Sequence, residues 1–190
     1  MASNVEIANR ALQKLGAKRI VTLTEDSRNA RAVNAAFETL KEAELREHPW
    51  NFSVKRVQLA AEATAPAFGK SRYFQLPSDF LRLLPPDPEY NYNDLDWQIE
   101  GRLIATNDSA PLDVRYVYNV TDPNTMDVLF REALASRIAY ELCEEITQSN
   151  KKKEAAQADY DSAIAKAKRT NAIERTAAKP PEDTWVSIRS

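Results

Sequence analysis

The chain has 190 residues, 28% of them charged and 43% hydrophobic, with a formal net charge of −2. That length supports one domain or two small ones around a real core, and the composition is that of a folded protein rather than a disordered one. It supplies no basic excess to draw the chain onto nucleic acid, and no apolar run approaches the roughly 20 residues that span a bilayer.

The opening MASNVEIANR lacks the apolar stretch of a signal peptide, so neither a membrane partner nor secretion is expected. The only glycines are Gly16, Gly69 and Gly101, each at an expected break. This leaves no G-x-G-x-x-G, no phosphate-binding loop and no glycine-rich nucleophile elbow. Cys143 is the single cysteine, so no intramolecular disulfide can form, which fits synthesis in a reducing compartment. It lies among Glu141, Glu144 and Glu145, an acidic setting that disfavours a reactive thiolate, and reads as a buried structural residue. The single histidine, His48, precedes Pro49 at an expected helix end, where it reads as structural rather than catalytic. No catalytic, cofactor-binding or metal-binding residue is nominated, and no enzyme activity is expected.

In chain order, the first helix is expected to start at Ser3, with Glu6 completing an S-x-x-E capping box. Ile7, Ala8, Ala11, Leu12 and Leu15 form its apolar stripe, and Gly16 suits the left-handed position that closes it. Residues 17–24 read as an extended linker. Asp26 or Ser27 caps a second helix with Ala30, Val33, Phe37 and Leu40 inward and Arg31, Asn34, Glu38, Lys41 and Glu42 on a polar face. Pro49 ends it. Phe52 and Val54, then Val57 and Leu59 in the opposite phase, predict a strand with a bulge near Lys55-Arg56.

Residues 60–70 read as a loop or the tip of a long hairpin, 72–76 as a strand ended by Pro77, and 87–94 as an exposed excursion. A hairpin is expected around Gly101, from Trp97 to Ile104, and a strand over 112–118. Together these predict one modest antiparallel sheet. Asp122-Pro123 suits a helix start, with Met126, Leu129, Phe130, Ala133, Leu134, Arg137, Ile138, Leu142 and Ile146 giving a wide apolar stripe. After a break at Gln148-Ser149-Asn150, a fourth helix carries Ala155, Ala158, Tyr160, Ile164 and Ala167. Its opening Lys151-Lys152-Lys153 opposes the helix dipole. The pattern then dissolves into a proline-containing tail with one large aromatic, Trp185.

The fold class is therefore α+β: a helical bundle from the N- and C-terminal helices, with an inserted antiparallel β region and an extended C-terminal tail. The expected domains are 1–49 with 120–175 as one discontinuous bundle, 50–119 as the insert, and 176–190 as the tail.

The basic residues Lys151, Lys152, Lys153, Lys166, Lys168 and Arg169 are interspersed with acids and lack an aromatic platform, so a solvated face or subunit seam is expected rather than a phosphate track. Asp79, Asp87, Glu89, Asp94, Asp96 and Glu100 read as ordinary surface acids rather than a catalytic pair. Trp50 and Phe52 read as core plugs at the helix-to-sheet corner. Phe68, Lys70, Tyr90 and Tyr92 fall in expected loops, where aromatics mark contact surfaces. In the tail, Trp185, Val186, Ile188 and Arg189 are more apolar than solvation requires and suit docking on a partner.

The stretch from Ala8 to Leu59, with its glycine-closed helix, second amphipathic helix and His48-Pro49-Trp50-Asn51-Phe52 corner, resembles the N-terminal half of the tail tubular protein A family. These are the head-to-tail adaptors of short-tailed bacteriophages. The resemblance continues through Tyr73-Phe74-Gln75-Leu76-Pro77-Ser78-Asp79-Phe80-Leu81-Arg82. It resumes at Val120-Thr121-Asp122-Pro123, at Leu129-Phe130-Arg131-Glu132-Ala133-Leu134, and at Asp183-Thr184-Trp185 before Arg189.

The resemblance implies a structural virion protein without catalytic residues, assembled in the host cytoplasm and placed at the head-tail junction. It would form a ring homo-oligomer, a dodecamer, through a heterologous interface that closes on itself. Its partners would be the portal protein, a tail nozzle of the tail tubular protein B type and tail fibres. Double-stranded DNA would pass through the lumen without specific binding during ejection. On this reading the tail from Trp185 to Arg189 docks on the portal, and the loops holding Phe68, Lys70, Tyr90 and Tyr92 meet nozzle or fibres. The competing expectations are a head-completion connector of a long-tailed phage, a tail-borne cell-wall or polysaccharide hydrolase, and a host-derived interaction module.

Overall fold

The computed structural model describes residues 2–86 and 96–174. The expectations at Tyr90, Tyr92, Trp185, Val186, Ile188 and Arg189 lie outside the described residues. The fold is α+β, with four α-helices and two small antiparallel sheets among the described residues.

Helix α1 (Asn4–Leu15) begins as its sequence dictates. Ser3 Oγ accepts from the Glu6 N–H, Glu6 reaches back to the Ser3 N–H, and all five stripe residues are buried. Gly16 closes it at φ 70°, a conformation that a side chain disfavours. Ser27, rather than Asp26, caps α2 (Arg28–Glu47), which ends at His48 before Pro49. The expected polar face of α2 holds except at one position: Lys41 is buried, because its place one turn after Phe37 turns it inward. Its ammonium reaches the partly solvated Glu38 at 2.5 Å.

Helix α3 (Val128–Thr147) starts later than the Asp122-Pro123 signal implies. The Asp122 carboxylate is used locally, accepting from the main-chain and side-chain N–H groups of Asn124 in a turn. Asp127 is the cap instead, accepting from Leu129 N at 2.7 Å and Phe130 N at 3.2 Å. Asp127→Ala should cost about 1 kcal/mol, read as a lower denaturation midpoint. Gln148, at φ 52°, ends α3, and Ser149 caps α4 (Asn150–Ile173). The adverse lysines at the start of α4 sit beside the adverse glutamates at the end of α3, and Lys153–Glu144 at 2.6 Å joins them.

Helix α3 is the central element, packing on α1, α2 and α4. Helices from both halves of the chain share one apolar core that includes Leu12, Val33, Phe37, Trp50, Phe130, Leu134, Ile138 and Ile164. On its rim Arg10 makes a bidentate pair with Glu132, both contacts at 2.9 Å, and Lys14 adds a third at 2.8 Å. These partners hold the Glu132 carboxyl below the ordinary range, the hydrogen bond from Arg10 contributing most.

Between Pro49 and Asn119 the chain forms two three-stranded sheets rather than one. The first has order β1-β6-β3, from β1 (Val54–Leu59), β3 (Phe80–Leu84) and β6 (Leu112–Tyr118). The second has order β2-β5-β4, from β2 (Arg72–Gln75), β4 (Gln98–Glu100) and β5 (Leu103–Thr106). Phe74, Leu76 and Ile104 meet Leu112, Val114 and Tyr116 in a second core between the sheets. Residues 60–70 form the expected loop: it leads from β1, which pairs with β6, across to the second sheet, and closes on itself at its base, where Ala61 and Phe74 form an isolated antiparallel bridge and the Glu62 N–H donates to the Tyr73 carbonyl at 2.8 Å.

The expected bulge at Lys55-Arg56 is also absent, and β1 pairs with β6 in unbroken register from Val54↔Val117 to Leu59↔Leu112. The phase change has another cause. Phe52 lies in a single 3-10 turn, Asn51–Ser53, and packs on the helical core, while Val57 and Leu59 pack on the β core. The irregularity falls in β3, between Phe80 and Arg82, where Leu81 turns to the helical core. Tyr118 packs against both cores. Among the described residues no helix is long and apolar enough to cross a membrane.

Candidate interaction surfaces and the polar seam

Two kinds of feature stand out: exposed apolar side chains at the β end, and a polar seam that fastens α4. Phe68 is 91% exposed, in the segment that joins the two sheets. Lys70, two residues on, is fastened to Asp96 by a short ion pair, and its side chain is 14% exposed. The two residues therefore differ: Phe68 projects into solvent, and Lys70 fixes the base of its loop. Ile99 on edge strand β4 is half exposed. A groove of about 420 Å³ lies where α2 faces the sheets, with Thr39, Glu42 and Arg46 on one wall and Phe80, Leu81 and Arg102 on the other.

The acids of this region are neutralised by donors. Asp79 receives Lys55 Nζ at 2.7 Å and the Tyr116 hydroxyl at 3.0 Å. Burial opposes its ionisation, yet those hydrogen bonds prevail and hold its carboxyl below the ordinary range. Burial, followed by the hydrogen bond to Asp79, pushes the Tyr116 hydroxyl up to about 12. Glu100 accepts from the Tyr73 hydroxyl at 2.7 Å, and Asp96 accepts from Asn107 as well as Lys70. Among the described residues no group of His, Cys, Asp and Glu is arranged to hold a metal ion. Arg56 and Arg115 stand opposite each other on β1 and β6, but Asp113 shares their hollow, so the lining is of mixed sign.

The seam that holds α4 runs along the last turns of α2 and the corner after it. Glu44 is 3% exposed, and its Oε1 accepts from the Tyr160 hydroxyl of α4 at 2.6 Å. Arg137 of α3 approaches the same oxygen at 3.9 Å and stacks over the Tyr160 ring at 5.2 Å. Glu44 Oε2 is buried without a hydrogen-bond partner among the described residues. Burial raises the Glu44 carboxyl above its ordinary range, against the Tyr160 hydrogen bond. One turn on, Lys168 pairs with Glu47 at 2.6 Å.

At the corner, Asn171 Oδ1 accepts from Asn51 N, its main-chain carbonyl accepts from Asn51 Nδ2, and its Nδ2 meets His48 Nε2 at 3.0 Å. Trp50 is buried, with its indole N–H on the Glu44 carbonyl at 3.0 Å. The sequence reading singles out none of Glu44, Arg137 and Asn171 as polar partners. Their positions carry the signal: Glu44 continues the Phe37–Leu40 stripe, and Asn171 continues the Ile164–Ala167 stripe, so each polar group falls on a buried face.

No protein-family model matches the chain, and no curated protein matches it.

Proposed function

We propose that this chain is a structural virion protein, a head-to-tail adaptor whose copies close into a ring between portal and tail nozzle and continue the DNA channel. The observation that carries this reading is the ordered resemblance of its segments, from the N-terminal helices to Trp185, to the tail tubular protein A family. The α+β fold, with helices from both ends of the chain in one core, agrees with what that resemblance implies. The exposed Phe68 suits a contact with the next tail component. The mixed-sign charge suits a lumen that lets DNA pass rather than retaining it.

The test is the mass and shape of the purified chain with and without the portal protein of the same genome, by light scattering and negative-stain imaging. A twelve-fold ring stacked on the portal is expected. Removing 180–190 should weaken portal binding and leave helical content unchanged. A monomer that ignores the portal would overturn the adaptor reading, and portal binding that survives the deletion would overturn the role given to the tail.

A further inference from the structure

The groove between α2 and the sheets carries positive charge that the fold does not neutralise. Arg46 Nη1 donates to the Leu81 carbonyl and Arg102 Nη2 to the Pro77 carbonyl, so each guanidinium is held by a neutral main-chain acceptor. Among the described residues no carboxylate lies within ion-pair distance of either. Glu42, on the same wall as Arg46, instead accepts from Asn119 Nδ2 at 2.7 Å. The floor is apolar, with Ala43 exposed and Phe80 and Leu81 half-buried. Two cations over an apolar floor suit a segment that carries acids beside large apolar side chains. The groove between α1 and α3 differs, because its Arg10 is already in the bidentate pair with Glu132.

The sequence past α4 holds such a segment. Glu182-Asp183-Thr184-Trp185-Val186-Ser187-Ile188 sets two acids just before a tryptophan and two β-branched apolar residues, with Lys179 before it and Arg189 after it. Its path starts near the groove. Glu174, which caps α4, accepts from Asn51 Nδ2 at 3.3 Å, and Asn171 Oδ1 accepts from the Asn51 N–H at 2.8 Å. Asn51 follows Arg46 by five residues, so at most about 18 Å of chain separates them. From Glu174 the eleven residues to Trp185 reach up to about 36 Å. The groove of the same copy is therefore within reach, and a tether this short gives an effective concentration of about 1 mM. At that concentration a contact with a Kd of about 0.1 mM is closed in roughly nine chains of ten.

We propose that residues 182–188 seat in the groove of their own chain, with Glu182 and Asp183 on Arg46 and Arg102 and with Trp185 on the apolar floor. This contact is independent of the adaptor reading; on that reading the portal draws the segment out of the groove.

Disulfide trapping in the full-length chain tests the contact. Ala43 in this groove and Val128 beside the other are both exposed, and the native Cys143 is buried. Under mild oxidation, Ser187→Cys with Ala43→Cys should close a bridge within one chain about tenfold faster than Ser187→Cys with Val128→Cys. Mass spectrometry and non-reducing electrophoresis read the product. Adding Glu182→Lys and Asp183→Lys, both beyond α4, should bring the first rate down to the second. Equal rates for the two cysteine pairs would overturn the groove as the seat. A bridge formed mainly between chains would give the segment to a neighbouring copy instead, and a rate that survives the charge reversal would overturn the pairing with the arginines.

Discussion

Trp50→Ala should cost about 4 kcal/mol, roughly a quarter or more of the stability of an ordinary domain, and should be the most damaging single truncation at this corner. Trp50 is 1% exposed and sits where the helical core meets the 3-10 turn that leads into β1. Its ring meets Phe130 edge-on at 5.0 Å and stacks on Phe52 at 6.2 Å, and Phe52 in turn meets Phe130 at 5.0 Å. Three aromatics from two distant segments therefore close one triangle, and alanine removes the member with the largest buried surface. The loss also strips the indole donor from the Glu44 carbonyl. Trp50→Phe keeps most of the contacts but not the N–H, so it should cost about half as much. Guanidinium unfolding followed by far-UV circular dichroism measures both. A loss below about 1 kcal/mol for Trp50→Ala would show that the corner collapses around the gap and that Trp50 does not anchor it.

The helices were legible because their signals are local. Ser3 with Glu6, Gly16, Ser27 and Pro49 act within one turn of themselves, and each falls where the sequence places it. The sheets were harder because their partners are distant in sequence. Val57 pairs with Val114, and nothing near Val57 indicates that the partner of β1 lies more than fifty residues on, or that the loop after it leads into a second sheet. The same problem hid β3. Phe80–Leu84 shows no alternation because Phe80 and Leu83 face the β core while Leu81 turns to the helical one. At Asp122-Pro123 two local signals competed: the aspartate's turn with Asn124 took the place of a helix cap, and Asp127 supplied the cap.

The contact residues were legible only in kind. Exposure of Phe68 follows from its place in a small-residue loop, but no local pattern announces that Lys70 would be tied to Asp96, 26 residues away. The seam could have been suspected from its phase. A glutamate, a lysine and an asparagine on otherwise apolar helical stripes require partners, since an unpaired polar group in a core is costly. Which partners they find depends on how α2, α3 and α4 cross, and one sequence does not specify that.

Glu44→Gln should stabilise the protein by about 1 kcal/mol at pH 7 and flatten its stability on the acid side. Among the described residues the buried carboxylate has one close donor, Tyr160, while Arg137 stands at 3.9 Å and Oε2 has no hydrogen-bond partner. Burial raises its folded value above the ordinary one, so the sign follows directly. In the window between the two values the folded chain holds a proton that the unfolded chain has released, and stability falls as pH rises through that window. Glutamine is neutral throughout, retains an oxygen for the Tyr160 hydroxyl and removes that slope. Tyr160→Phe acts in the opposite direction, leaving an ionised carboxylate without its donor at a cost of about 2 kcal/mol at pH 7.

In the Glu44→Gln background the same tyrosine change should cost about 1 kcal/mol less, because the group left behind is uncharged; this coupling is what a double-mutant cycle isolates. Denaturation of the four proteins from pH 4.5 to 8 measures the slope and the coupling together. A Glu44→Gln protein that is less stable than the parent at pH 7 would mean that Arg137 more than compensates the burial of the carboxylate. The seam would then act as a stabilising ion pair rather than a strained one.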